Sequence, residues 1–397
     1  MKSGESSSLA VSFLRSCAEP HKLLHRKDGF IAVAIPKRRP DQQLYPSHTR
    51  YKHDVLSNYL RLWGRILGRP RPDRQRILHY VDCFAGPGRH EGDYPGSPVI
   101  AMEIGQELHE YHEANSKGDF FLECHFVEKD KKTYEELRWN LEIAGYDFPE
   151  VSANKYHSPF EDHIDDIFTE IHDPQPALVF LDPYRFMDIG TVIRLLGRRW
   201  NEILITFMSR DGNRFLGVAT NENMWDARLR TGSWRQLLNS PHRQEEFARF
   251  YGREIQEQAQ EEWGIEDVLV FPINVRAYGR RANVYHLIHV SRHPKARMAM
   301  EQAVAQADLL WQEQESFPLL DRGVEEAVLQ ALRGNGSLGC LELAGHVWRD
   351  HWNVSWGEVK QAILDLEGSG YVDVRPYKPR KRRTGLLEKD RVFLRER

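Results

Sequence analysis

The sequence predicts a Rossmann-like, doubly wound α/β sheet with a C-terminal winged helix-turn-helix domain. Three observations predict it. Near-continuous apolar runs of strand length alternate with helical periodicity from about residue 50 to 210. Two strands then follow closely as a hairpin, and the chain ends in three helical patterns and two short strands.

The elements follow in order. Residues 1–45 are polar, carry the basic run Pro36-Lys37-Arg38-Arg39-Pro40, and read as a loose N-terminal arm. Val55, Leu56, Tyr59, Leu60, Trp63, Ile66 and Leu67 recur at helical spacing, so a helix is predicted over about 50–68, ended by Gly68 and Pro70. Strands are predicted at Ile77–Phe84, Phe120–Glu128, Ala177–Tyr184 and Glu202–Met208, with a weaker one at Val151–Tyr156. Continuous apolar character marks strands covered on both faces. Helices fall between them, starting at Ser97-Pro98, Lys131 and Ser158-Pro159, with Ser97 expected to cap. Residues 211–266 are helical, rich in Arg, Trp and Asn, and read as an insertion rather than core. Val268–Tyr278 and Val284–Val290, split by Gly279–Asn283, form the hairpin. Five crossover strands plus a hairpin is the strand inventory of a class I methyltransferase-type sheet. The predicted domains are an arm (1–45), the Rossmann-like body (46–318) and the winged-helix region (319–397).

Composition narrows the function classes. Charges nearly balance, at 55 basic and 58 acidic residues, so composition alone does not mark a nucleic-acid binder. The balance is uneven, however. Ala101–Gln175 holds 19 acidic against 6 basic residues, whereas Tyr371–Arg397 holds 10 basic against 4 acidic, which suggests modules with different partners. No run approaches the ~18 apolar residues of a membrane helix. The first residues lead to no sustained apolar core, so no secretory signal is expected. The four cysteines are scattered without a CxxC pair, which excludes a local zinc or iron–sulfur motif and fits a cytoplasmic setting. No histidine metal pair is legible: His48 and His53 miss helical spacing, and His286 and His289 face opposite sides of a strand.

The chemistry concentrates at strand ends. The first strand runs into Asp82-Cys83-Phe84-Ala85-Gly86-Pro87-Gly88, where glycines permit a sharp turn and close approach to a ligand. The second ends in Glu128, placed where an acidic side chain reads a ribose diol or, alternatively, caps the next helix. The gap from Gly86 to Glu128 is about twice the dinucleotide spacing, which argues against NAD and leaves S-adenosylmethionine preferred. After the third strand, Phe160 or its neighbours would border an adenine ring. The fourth strand ends in Asp182-Pro183-Tyr184, a triplet suited to an exocyclic amine on a base. The Asp182 carboxylate and Pro183 carbonyl accept hydrogen bonds, Tyr184 stacks, and a base in a duplex would first be flipped out. Lys378, Arg380, Lys381, Arg382 and Arg383 fall where a wing would contact phosphates, and the preceding helix would expose Trp356 or Lys360.

These motifs, with the runs His48–His53, Gly96-Ser97-Pro98, Phe126–Asp130, Ile203–Met208, Asn213-Arg214-Phe215 and Trp234-Arg235, resemble the three-Cys-motif partner protein (TcmP) family over about 45–397. The resemblance implies a methyltransferase-like body with a winged-helix-like region and a partner bearing a three-cysteine cluster of radical-SAM type. Asp82, Gly86, Gly88, Glu128 and Asp182 match its cofactor-side motifs. Tyr184-Arg185 departs from the family's Phe-Gly, so Arg185 either clamps a phosphate or blocks the pocket. The triplet is closer to the Asp-Pro-Phe of guanine-N2 tRNA methyltransferases than to adenine-N6 enzymes.

Three functions are therefore expected in order: a nucleic-acid base methyltransferase, probed by Asp182 and Glu128; a metal-dependent DNA nuclease using Asp82, Glu128 and Asp182 as ligands for Mg²⁺ or Mn²⁺; and a non-catalytic module that delivers a radical enzyme to DNA.

Overall fold

The structure is a computed structural model that describes residues 47–68, 76–115, 120–143, 148–184, 187–209, 222–276, 283–311, 323–377 and 385–395. The N-terminal arm, Arg185, Asn213–Phe215, the hairpin tip and the basic run Lys378–Arg383 lie outside the described residues.

Among the described residues seven strands form the central sheet: β1 (Arg76–Asp82), β2 (Phe120–Glu128), β3 (Val151–His157), β4 (Ala177–Leu181), β5 (Asn201–Phe207), β6 (Leu269–Arg276) and β7 (Asn283–Ser291). Their spatial order is β3-β2-β1-β4-β5-β7-β6. The first five run parallel, while β7 enters antiparallel beside β5 and pairs with β6. The chain therefore winds outward from β1 to β3, returns, and winds the other way from β4. That reversal falls between β1 and β4, and ligands bind outside the carboxyl ends of strands at such a switch point.

Strand alternation sorts the sheet into two faces. Leu78, Tyr80, Cys124, Phe126, Leu178 and Phe180 pack beneath helices α1 (Ser47–Leu67), α2 (Ser97–Ala114) and α3 (Lys131–Ile143). Val81, Val127, Val179 and Leu181 pack on the other face under α4 (Phe160–Glu170) and α5 (Ile189–Leu196). The described part of the 211–266 stretch belongs to this second core. Trp225, Trp234, Phe247 and Tyr251, from α6 (Glu222–Leu229), a 3₁₀ turn and α7 (Arg243–Trp263), are buried in it. Its many charges lie on the outer faces of these helices, which gave the segment the look of an appendage.

Two capping expectations shift by a residue. Gly96, not Ser97, is the N-cap of α2, because its amide bonds the Gly88 carbonyl at 2.7 Å and a Cβ there would sit 2.9 Å from that oxygen. Pro159 takes the N-cap place of α4 and Ser158 does not cap.

Beyond α8 (Pro294–Trp311) come α9 (Val324–Asn335), β8 (Ser337–Gly339), α10 (Cys340–Asp350), α11 (Trp356–Gly368), β9 (Val372–Arg375) and β10 (Arg391–Leu394). The short β8 completes an antiparallel sheet in the order β8-β10-β9, one strand more than the sequence suggests. This unit has its own core, which takes in Leu269 of β6. Arg297 of α8 anchors the junction. Its guanidinium is fully buried, bonds Glu301 at 3.0 Å and the Trp352 carbonyl at 2.9 Å, and lies over the Phe271 ring. Glu301 in turn accepts the Trp356 amide at 2.9 Å. Among the described residues no helix is long and apolar enough to cross a membrane.

Candidate active site

The loop after β1 is pinned across both neighbouring strands. The Cys83 amide bonds the Phe180 carbonyl at 3.1 Å, and the Ala85 amide bonds the Val127 carbonyl at 2.9 Å. Asn140 of α3 holds the Pro87 carbonyl at 2.7 Å. Gly86 sits at φ +64°, a left-handed conformation that favours glycine, and a Cβ there would meet nothing within 4 Å. The loop thus turns a bare backbone toward open space.

Glu128, at the end of β2, is half-buried beside this loop. One carboxylate oxygen accepts the Gly86 amide at 3.0 Å and the other accepts the Asp130 amide at 2.8 Å. Helix α3 is capped by Asp130, which receives the Thr133 amide at 2.9 Å. Glu128 thus braces the turn into α3 and holds the glycine loop, while the cap itself is Asp130. Each oxygen keeps a lone pair for a hydroxyl donor.

Asp82 is fully buried and accepts the Phe84 amide at 3.2 Å and the Tyr80 hydroxyl at 3.3 Å. Burial pushes its carboxyl up to about 7, the neighbouring Asp182 charge adds to that, and hydrogen bonds from Ser97, Phe84 and Tyr80 only partly offset it. Asp182 behaves oppositely. Burial alone would raise it, but an ion pair with Lys52 overrides that effect and holds the carboxyl below its usual range. Lys52 comes from α1, is itself buried, and lies near the Phe180 ring. It is the residue that sequence reasoning did not single out. Two neighbouring carboxyl groups at this edge thus have opposed proton affinities, one set by burial and the other by its ion pair.

Pro183 is buried, and the Tyr184 ring is 93% exposed. Phe160 does not border an open cofactor space: it is buried against Phe84, with ring centroids 5.5 Å apart. His53 and His90 line the Lys52 side of the site, and burial lowers both imidazoles.

The structure thus brings Asp82, Gly86, Gly88, Glu128 and Asp182-Pro183-Tyr184 to the carboxyl edge of β1, β2 and β4. It does not assemble Asp82, Glu128 and Asp182 as a metal site. Among the described residues the only such grouping is His79, Glu123 and His125. The Mg²⁺ or Mn²⁺ expectation at Asp82, Glu128 and Asp182 therefore finds no support. In the small domain, Trp356 is half-buried against Trp348 rather than displayed, and Lys360 lies near its ring. The outer positions of α11 include Gln361 and Asp365, so this helix is not a basic face.

No family model matches the chain, and no curated protein matches it. Two solved structures show distant likeness. One is a Legionella pneumophila protein of the DUF519 family, 11% identical, covering 68% of this chain and 94% of its own, with TM-score 0.37. The other is the methyltransferase subunit of a type I restriction-modification system from Streptococcus thermophilus, 12% identical, covering 59% of this chain and 43% of its own, with TM-score 0.27.

Proposed function

We propose that this chain is an S-adenosylmethionine-dependent methyltransferase acting on an exocyclic amine of a nucleic-acid base. The observation that carries this reading is the meeting of the Gly86 loop, Glu128 and Asp182-Pro183-Tyr184 at one edge of a sheet ordered β3-β2-β1-β4-β5-β7-β6.

The residues present fit the cofactor. Space is open at Gly86, and the Glu128 carboxylate has capacity for a ribose diol. When bound, S-adenosylmethionine supplies an electrophilic methyl group. The chain's own part is binding and orientation. Lys52 meets Oδ2 of Asp182 and keeps the carboxylate ionised, leaving its other oxygen to accept a hydrogen bond from the base amine. The Pro183 carbonyl accepts the second amine hydrogen, and the uncovered Tyr184 ring stacks on the base.

Calorimetric titration with S-adenosylmethionine tests the reading. The parent chain is expected to bind with micromolar affinity, and Glu128→Ala to weaken binding by roughly 10–100-fold, the worth of a charged hydrogen bond. Asp182→Ala should keep cofactor binding while losing methyl transfer. Binding that is indifferent to Glu128→Ala would count against the site; no binding at all would favour a non-catalytic module.

The three-helix, three-stranded C-terminal unit supports a winged-helix reading. We propose nucleic acid, DNA first, as its ligand, through Lys378, Arg380, Lys381, Arg382 and Arg383. Neutralising these five residues is expected to lower DNA affinity and flatten its salt dependence by about one unit of slope per lost phosphate contact. Unchanged salt dependence would remove the wing from the reading. The TcmP resemblance further proposes a three-Cys-motif partner of radical-SAM type, which co-purification of the two proteins would test.

A further inference from the structure

His79, Glu123 and His125 lie on the α4 face of the sheet, opposite the Lys52–Asp182 pair. Glu123 and His125 are two apart on β2 and so share a face, and His79 is the register partner of Glu123 on β1. His79 Nδ1 is 3.3 Å from His125 Nε2 and 3.5 Å from a Glu123 oxygen. All three ligand atoms lie within 4.8 Å of one another.

We propose that these three residues bind a divalent transition-metal ion, zinc in the first instance. Zinc bonds of about 2.0–2.1 Å in a tetrahedral arrangement hold ligand atoms about 3.3–3.4 Å apart. The His79–His125 and His79–Glu123 spacings bracket that separation, and the third pair lies within 4.8 Å. The outer partners are also in place. His79 Nε2 faces Gln175 Oε1 at 3.2 Å, and that oxygen is itself fixed by the His172 amide at 2.9 Å. His125 Nδ1 faces the Tyr156 hydroxyl at 3.2 Å, and the two rings stack. Ligating imidazoles ordinarily place their second nitrogen against such a group, which sets tautomer and ring plane.

The site is reachable and its mouth is acidic. Both imidazoles are buried, but the Glu123 side chain is 38% exposed. Glu170 faces Glu123, and Glu170 and Asp166 face Tyr156. Arg198 acts oppositely on His79, yet its guanidinium is engaged by the Phe168 and Ile171 carbonyls and Asp173. Three protein ligands leave a fourth position for water. Without metal, the two imidazoles share a single N–H···N hydrogen bond, and that is the competing arrangement.

The test uses tag-free full-length protein, stripped with a chelator and titrated with Zn²⁺ by calorimetry and with Co²⁺ by visible absorption. One zinc per chain and the intense absorption of four-coordinate cobalt are expected. Glu123→Gln and His125→Gln should each weaken binding at least tenfold. No stoichiometric binding by the folded parent would overturn the proposal, as would unchanged affinity and cobalt spectrum in Glu123→Gln. Because Glu123 is half-exposed, that variant decides the matter even where His125→Gln fails to fold. None of these readouts depends on methyl transfer.

Discussion

Lys52→Met is expected to destabilise the protein by about 3 kcal/mol at pH 7, measured by urea denaturation. Removing one partner of a buried ion pair typically costs roughly 3–5 kcal/mol, because the other charge is left uncompensated. The low end applies here, since the Asp182 side chain retains 28% exposure while that of Lys52 retains 8%. Asp182→Ala should cost a similar amount by leaving the ammonium alone. The double variant should cost clearly less than the two singles combined, with a coupling of about 1–3 kcal/mol. Additive costs would mean that the pair does not form in solution. Lys52→Met has a further consequence. Without the ammonium, burial raises the Asp182 carboxyl, so a charged acceptor at the base site gives way to a neutral one at the acid end of the pH range.

Asp82→Asn is expected to make the protein more stable at pH 8 by removing the falling contribution that this carboxyl makes to stability between about pH 4 and 7. The unfolded carboxyl releases its proton near 3.8, whereas the buried one holds it to about 7. Between those values the native state binds more protons, so the stability contributed by this group falls as pH rises. A shift of about three units corresponds to about 4 kcal/mol, and the amide should recover roughly 2–4 kcal/mol of it at pH 8. Histidines tilt the profile the other way. Burial lowers His79, His125 and His286 from 6.5 to about 4. Their unfolded forms bind protons first, so stability is lost as pH falls from 6.5 through 4. Denaturation midpoints of parent and variant at pH 5, 6.5 and 8 check both limbs: the advantage of Asp82→Asn should grow from pH 5 to about 7 and then level off, and an advantage that does not change between pH 5 and 6.5 would clear Asp82 of the role.

Much of the site was legible because it sits at strand ends. Apolar runs bounded by Asp82, Glu128 and Asp182 give strands and termini together, and a parallel sheet places such termini on one edge. What was not legible involves side chains meeting across long sequence separations. Lys52 lies in the run His48–His53, and nothing local says that it meets Asp182 at the end of β4, 130 residues on. His79 and His125 are 46 residues apart, and a search by local spacing passes over them; only strand register brings them together. The 211–266 stretch was misleading for another reason. Its buried aromatics are interleaved with Arg, Glu and Gln, so average polarity hides Trp225, Trp234 and Phe247.

The Arg297 anchor bears on reach. A desolvated guanidinium hydrogen-bonded to Glu301 and to the Trp352 carbonyl does not tolerate sliding, so the C-terminal unit and the sheet move as one body rather than as beads on a tether. The separation between the small unit and the sheet edge then behaves like a fixed ruler. On the proposed function, a nucleic acid held by the small unit would present to the sheet edge only those positions that lie one ruler-length away.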